Sequence, residues 1–211
     1  LANTVTMVGG GHDLAVHSDV DIDGVISGGA WNKSAAGTLT LNNTNNNYTG
    51  NSGVTAGILR SGAAHVVPDA TSISIGGTGT FDLNGFNDSV NGDGVRAIFL
   101  AVNAQPQVAS ITTGAGTLTI GDDITSDSNA YGNHAISGNL NLGSATRIFS
   151  IGVGSNNRKV LSISANISGD PGSGIIYTGV NTKLILSGTN TYDGGASVAS
   201  LATMTYLNTA S

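Results

Sequence analysis

The sequence contains no cysteine and no glutamate, and only 9% of its residues are charged. The absence of cysteine excludes disulfides and thiolate metal sites. Glutamate, lysine and similar residues fill most helices, so a chain with no glutamate and very few lysines predicts little α-helix. No apolar run reaches the roughly 18 residues that a membrane-spanning helix requires, so we expect no membrane insertion.

Basic residues are also scarce. The chain has 7 lysines and arginines against 13 acidic residues, for a formal net charge of −6. Only Arg158 and Lys159 are adjacent to each other. Nucleic acids and anionic membranes are bound by clustered lysines and arginines, so neither is an expected partner.

Glycine and small polar residues are abundant, and apolar residues alternate with them. The chain has 32 glycines, and 39% of its residues are hydrophobic. Alternation of this kind predicts short β-strands separated by turns, and it argues against disorder. The alternating apolar pairs run from one end of the chain to the other: Val5/Met7, Leu14/Val16, Val20/Ile22, Leu39/Leu41, Ile73/Ile75, Phe81/Leu83, Ile98/Leu100, Leu118/Ile120, Leu140/Leu142, Ile151/Val153, Leu161/Ile163 and Leu184/Leu186.

One stretch of sequence occurs twice. Residues 36–59 hold three short strand-like runs, and residues 182–201 repeat them, so that Leu39 and Leu41 correspond to Leu184 and Leu186. Upstream, an Ile-Ser-Gly motif at residues 26–28 corresponds to another at residues 167–169. Three short strands in a repeat of this length are typical of one turn of a β-solenoid. A β-sandwich also has short alternating strands, but it has no reason to use one unit twice.

The motif I-S-G followed by G-T-L-x-L-S-G-x-N-x-Y-x-G-G resembles the autotransporter passenger-associated β-strand repeat. Residues 26–59 and 167–201 carry the motif, with Asn42-Asn43 where the pattern has Ser-Gly. The resemblance implies a right-handed parallel β-helix displayed outside a bacterial cell. It implies no activity, because the repeat has no catalytic residues.

The predicted fold is therefore all-β, a right-handed parallel β-helix (β-solenoid) of about 8–10 windings at roughly 20–25 residues each. We expect one domain over residues 1–211. Three polar stretches, at residues 42–47, 85–94 and 122–133, are predicted to project as loops. The predicted inward rows are Leu39/Leu41, Leu118/Ile120, Leu140/Leu142, Leu161/Ile163 and Leu184/Leu186.

Two acidic stretches are candidate calcium sites. Asp19, Asp21 and Asp23 open a pattern of the EF-hand type, but its twelfth position is Ala30 where a bidentate glutamate is needed. The favoured interpretation is a strand with Val20 and Ile22 inward and the three carboxylates outward. The second stretch, with Asp122, Asp123 and Asp127, receives the same interpretation.

Other polar residues give no stronger signal. His12, His17, His65 and His134 show no metal-binding spacing. Asp82, Asp88 and Asp93, with Arg96 nearby, are interpreted as solvated turn residues rather than as a polysaccharide-cleaving site. The asparagines of residues 42–47 are expected to bond between windings, and Trp31 to pack near a turn. The sequence thus predicts no catalytic residue, no cofactor and no metal ligand.

Nothing in the sequence specifies a reaction, so we expect a structural protein of the extracellular space or the bacterial cell surface. Residues 1–8 and 200–207 are uncharged and strand-like. Unprotected strand edges pair with other chains, so the sequence predicts head-to-tail self-assembly into a filament or matrix through these segments. The alternative is an adhesin-type binding module that contacts glycans or proteins of another cell surface.

Overall fold

The computed structural model describes residues 4–9, 11–101, 107–127, 132–152, 159–199 and 202–206. These residues form an all-β parallel solenoid of about 8 turns, and no helix occurs among them. The predicted fold class is therefore confirmed. The strands of all three faces pair in parallel, whereas a sandwich pairs its strands antiparallel.

Each turn of the solenoid has three faces. The first face carries β1 (Val5–Met7), β4 (Ile26–Gly28), β11 (Asp88–Val90) and β18 (Asn166–Ser168). The second face is a sheet of β2 (His12–Ala15), β5 (Trp31–Ser34), β7 (Gly50–Val54), β9 (Thr71–Gly76), β12 (Ile98–Ala101), β14 (Ile124–Ser126), β16 (Arg147–Ser150), β19 (Ile175–Thr178) and β21 (Ala196–Val198).

The third face is a ladder of β3 (Val20–Ile22), β6 (Thr38–Leu41), β8 (Ile58–Ser61), β10 (Thr80–Asp82), β13 (Val108–Ile120), β15 (Gly132–Asn141), β17 (Lys159–Ile163), β20 (Thr182–Leu186) and β22 (Thr203–Tyr206). Two of these strands are long because they continue around a corner. The second halves of β13 and β15 lie on the first face, where they pair with β11 and β18.

Turn length varies along the solenoid. Asn32 lies 19 residues after Asp13, its neighbour on the previous turn, whereas Ser110 lies 30 residues after Thr80. The strands stay in register because the extra residues are accommodated at the corners. The turn length of 20–25 residues expected from sequence is thus exceeded where the chain makes larger corners.

Apolar side chains fill the interior because alternate strand residues point inward. Every residue of the five predicted inward rows is at most 1% exposed, which confirms the alternation. Stacked turns share this core, which one turn could not bury alone. On the third face, one inward row runs through Leu39, Leu59, Phe81, Ile111, Ile136, Ile163 and Leu186.

The sequence repeat predicts the faces correctly but not the row. Leu39 aligns with Leu184 in the sequence, yet the ladder stacks Leu39 in the row that contains Leu186. Inward residues recur every two positions, so a shift of two residues along a strand keeps apolar side chains in the core. The Ile-Ser-Gly motifs do take equivalent places, in β4 and β18 of the first face.

Two of the three predicted loops contain strands instead. Residues 85–94 include β11, where Val90 is fully buried, and residues 122–133 include β14, where Ile124 is fully buried. Each of these strands has only one inward apolar residue, so its sequence lacks the alternation that predicts a strand. Residues 128–131 of the second stretch lie outside the described residues.

Gly28 shows why the Ile-Ser-Gly motif ends in glycine. Its φ is +101°, in the left-handed region, and a Cβ there would collide with the backbone oxygen of Met7 on the previous turn. Only glycine combines this conformation with so close an approach.

Among the described residues, no helix is long and apolar enough to cross a membrane.

Candidate functional site

A shallow depression of about 510 Å³ lies on the first face. It is formed where the chain passes from β6 to β7 and, one turn later, from β8 to β9. Its lining includes Asn46, Tyr48, His65, Val67 and Asp69. These residues come from two successive turns, and neither segment is a strand. The first face is irregular here, because corner segments replace the strand that other turns place on this face.

Asn46 and Tyr48 fix the floor of the depression. The Asn46 side chain is buried, and it accepts a hydrogen bond from the Ile26 backbone N–H at 2.7 Å and donates one to the Val66 carbonyl at 2.9 Å. The Tyr48 ring packs edge-to-face on Trp31, with 5.6 Å between centroids. Burial raises the pKa of Tyr48, so its hydroxyl stays neutral.

Beside this floor, His65, Asp69 and Asp88 bring their ligand atoms within 4.8 Å of one another. We call these three residues the His65 cluster. His65 and Asp69 are exposed and lie on the corner before β9, whereas Asp88 is 1% exposed and begins β11 on the next turn. The backbone φ of His65 is +55°, a conformation that few non-glycine residues adopt.

The buried Asp88 carboxylate is held by backbone donors. One oxygen accepts hydrogen bonds from the N–H groups of Val66 and Val67, each at 3.2 Å, and the other accepts one from Ser89 at 2.9 Å. Burial nevertheless raises the pKa of Asp88 to about 6, because removing a carboxylate from water disfavours its charged form. The sequence interpretation of Asp88 as a solvated turn residue is therefore wrong.

The two neighbours grouped with Asp88 in the sequence lie elsewhere. Asp82 forms an ion pair with Arg60 at 3.0 Å on the third face. Asp93 caps a tight turn, since its carboxylate accepts hydrogen bonds from the backbone of Val95 and Arg96. Arg96 stacks over Phe99 at 4.4 Å from the ring centroid. The structure does not assemble these residues into one site.

The first acidic stretch points outward around β3. Ile22 is buried, whereas Asp19, Asp21 and Asp23 are exposed, as the alternation predicted. The Asp19 carboxylate accepts a hydrogen bond from the Thr38 N–H, and this bond lowers the pKa of Asp19. Asp23 accepts a hydrogen bond from the Asn42 side chain at 2.7 Å. Two of these carboxylates thus join neighbouring turns.

The second acidic stretch surrounds β14. The Asp122 carboxylate accepts a hydrogen bond from the Asp123 N–H at 2.8 Å, and the Asp123 carboxylate accepts one from the Ile148 N–H on the next turn at 2.7 Å. Asp127 pairs with the fully buried ammonium group of Lys159 at 2.6 Å. A buried lysine in an inward row breaks the apolar pattern, so sequence reasoning did not identify this ion pair.

The remaining histidines are separate from one another. His17 is exposed, and His12 is half-buried on β2. His134 lies in β15 with its side chain buried in the interior of the solenoid. Neither of its ring nitrogens has a hydrogen-bond partner among the described residues. Burial lowers the pKa of His134 to about 4, and the nearby Lys159 charge adds to the effect.

One further expectation from the sequence concerns the packing of Trp31. Trp31 is 2% exposed and begins β5, directly after the corner at residues 29–30, which agrees with packing near a turn. On the same strand the fully buried Lys33 donates to the carbonyls of Ala35 and Ala56 at 2.6 and 2.7 Å. The alternation indicates that Lys33 points inward with Trp31, but its charge concealed this in the sequence.

A second depression, of about 410 Å³, lies further along the first face and is lined mainly by amides and hydroxyls. The Asn166 amide donates to the Asn139 side chain at 3.3 Å, and its oxygen accepts from the Thr189 N–H at 2.9 Å. The expected bonding of asparagines between windings occurs here as well as at Asn46.

No protein-family model matches the chain, and neither a curated protein nor a solved structure matches it.

Proposed function

We propose that the protein is a structural β-solenoid of the bacterial cell surface or extracellular space that assembles end to end. The observation that supports the proposal is the continuity of two ladders. The second face runs from β2 to β21 and the third from β3 to β22, in parallel throughout. Since every strand has the same direction, the edge of β21 and β22 in one copy can pair with the edge of β2 and β3 in another.

Apolar side chains at both edges support this stacking. At one edge, Leu14 and Val20 belong to inward rows but are only half-buried. At the other edge, Val198 stacks on the inward row that contains Tyr177, yet it is 42% exposed. A further winding laid on either edge would cover these side chains, as interior windings cover theirs. The two edges differ, so the contact repeats without closing and produces a filament.

The proposed location and the proposed family relationship are based on the sequence. The repeat resembles the autotransporter passenger-associated unit, and a parallel solenoid is the fold that this resemblance implies. Because the chain has no cysteine, the fold is held by its stacked core and strand ladders and not by disulfides. The proposal includes no catalytic role.

A second candidate function is that of an adhesin-type binding module. The depression beside Asn139 and Asn166 favours it, since amide and hydroxyl groups on successive turns can bond the hydroxyls of a surface glycan. In this case the rod would stay monomeric and would bind glycans through the first face. An Asn166→Ala variant would then lose glycan-array binding while remaining folded.

The assembly proposal is tested by placing charge at one edge. Val198→Lys puts an ammonium group on the apolar end surface, and Val95→Lys places the same change at an exposed corner away from both edges. In sedimentation velocity at high concentration, we expect polymers of the unaltered chain and of Val95→Lys, and loss of polymers in Val198→Lys. Equal polymerisation of all three proteins, or none at all, would contradict the proposal.

A further inference from the structure

We propose that the His65 cluster binds one divalent transition-metal ion, and that Zn²⁺ suits its ligands. The sequence predicts no metal ligand, because His65, Asp69 and Asp88 follow no familiar spacing. The fold brings them together from two turns, with their ligand atoms within 4.8 Å of one another. Nitrogen and oxygen ligands lie about 2.0–2.2 Å from zinc, so two ligands of one ion are at most roughly 4.4 Å apart. Small side-chain movements would complete the coordination.

The buried carboxylate gives an independent reason to expect a cation. Asp88 is 1% exposed, and its hydrogen bonds come only from neutral backbone N–H groups. Within the described part of the chain, ion pairs form at Asp82 and Asp127 but not at Asp88. The ionisable group that interacts with Asp88 is His65, itself a member of the cluster. A carboxylate buried without a lysine or arginine beside it is costly, and a bound cation would offset that cost.

The backbone around the cluster is fixed on both sides. The His65 N–H donates to the Asn87 carbonyl at 3.0 Å, and the Asp69 carbonyl accepts from Asn91 at 2.7 Å. Both partners belong to the turn that contains Asp88. The corner that carries two ligands is thus tied to the strand that carries the third, which is the preorganisation a metal site requires.

The ligand set selects the class of ion. One imidazole and two carboxylates suit zinc and neighbouring transition metals, whereas Ca²⁺ and Mg²⁺ prefer oxygen ligands alone. His65 and Asp69 also line the depression, so water can occupy the remaining coordination positions. The ion would join the corner before β9 to β11, and it would therefore act as a clamp between successive turns.

A competing account is that protonated His65 is the partner of Asp88. In that account the cluster needs no metal, and added zinc has no specific effect. The two accounts differ in whether Asp69 matters, because only a metal site uses all three side chains.

The test is calorimetric titration of ZnCl₂ into chelator-treated protein at neutral pH, with Asp69→Asn and His65→Asn as site variants. Asparagine tolerates the left-handed backbone at residue 65, so this variant keeps the corner. His17→Asn and Asp170→Asn remove an exposed histidine and an exposed aspartate outside the cluster. Asp88 variants would not separate metal binding from folding, because the Asp88 carboxylate also accepts hydrogen bonds from three backbone N–H groups.

We expect one saturable site, a fall in affinity of about tenfold or more in each site variant, and unchanged affinity in both controls. Zinc should also raise the melting temperature of the unaltered protein but not of Asp69→Asn, since an ion that binds only the folded state stabilises it. Calcium should have no such effect. Absence of a saturable site, or retention of full affinity in Asp69→Asn, would overturn the proposal.

Discussion

The Asn46 side chain accepts a hydrogen bond from the backbone N–H of Ile26, one turn earlier, at 2.7 Å. The second repeat contains the same relationship, since Asn190 accepts from the N–H of Ile167 at 3.3 Å. Both asparagines lie two residues before the tyrosine of the repeat. The N-x-Y part of the motif therefore has a physical role, because its amide bonds the backbone of the previous turn. At Ile26 the amide takes the place of a ladder hydrogen bond, whereas the Ile167 N–H also donates to the Thr189 carbonyl at 3.2 Å.

Replacing Asn46 should therefore be costly. In Asn46→Ala the Ile26 N–H and the Val66 carbonyl lose their buried partner, which predicts a loss of about 2–3 kcal/mol in the free energy of unfolding. Asn45 is exposed on the same corner, and Asn45→Ala should change the stability by less than about 0.5 kcal/mol. Urea unfolding of the two variants measures the difference; equal losses would show that the amide is not structural.

The alternation of inward and outward residues on the third face predicts that charge at neighbouring positions of β6 has very different effects on stability. Leu39 is 1% exposed, so Leu39→Asp would bury an unpaired carboxylate and should cost more than about 4 kcal/mol. Thr40 points outward, between Asp21 and Arg60 of the adjacent turns, so Thr40→Asp should cost under about 1 kcal/mol. Thermal unfolding distinguishes the variants, and similar melting temperatures would refute the assignment of faces.

The fold could be predicted from sequence because strand period and turn chemistry are local signals. Alternating pairs such as Leu39/Leu41 identify the inward faces without any knowledge of neighbours. Which inward residues share a row cannot be predicted in this way, since it depends on how many residues each corner contains. Leu39 and Leu184 therefore look equivalent in the repeat but lie in different rows.

The candidate site could not be predicted, for a related reason. His65 and Asp88 meet only because one corner and the next turn bring them together. In the sequence, Asp88 resembles the exposed turn aspartates around it, and the single inward residue Val90 gives little sign of a strand. Buried ionic groups, Lys33 and Lys159 among them, were likewise missed because burial of a charge contradicts the pattern used to find the core.

Lys159–Asp127 and Arg60–Asp82, two ion pairs that differ in burial, predict contrasting costs. Lys159 is fully buried against Asp127, so Lys159→Ala removes the cation of a buried ion pair and should cost about 3–5 kcal/mol. Arg60 is 38% exposed in its pair with Asp82, so Arg60→Ala should cost at most about 1 kcal/mol. Guanidinium unfolding of both variants measures the contrast. A larger loss in Arg60→Ala would contradict the burial assigned to Lys159.

His134 predicts a loss of stability in acid. Its pKa is lowered to about 4 in the folded protein, below the ordinary value of about 6.5, so the unfolded state binds more protons between these values. Stability should therefore fall as the pH drops through this window, by up to about 1.4 kcal/mol per pH unit. His134→Leu should lose this contribution, while exposed His17→Asn should keep it.

The measurement is urea unfolding of the three proteins at several pH values from 4 to 7. Comparing variants isolates the contribution of His134 from those of other groups that change protonation over this pH range. Parallel pH profiles for the unaltered protein and His134→Leu would show that the imidazole is not buried in its neutral form.

The central claim, end-to-end assembly of a parallel solenoid, is tested most directly by negative-stain electron microscopy of the purified chain at high concentration. A single solenoid of about 8 turns is roughly 40 Å long at the strand spacing of about 4.8 Å. The account predicts unbranched filaments of uniform width, many times longer than one rod. A field of separate short rods at every concentration would contradict it.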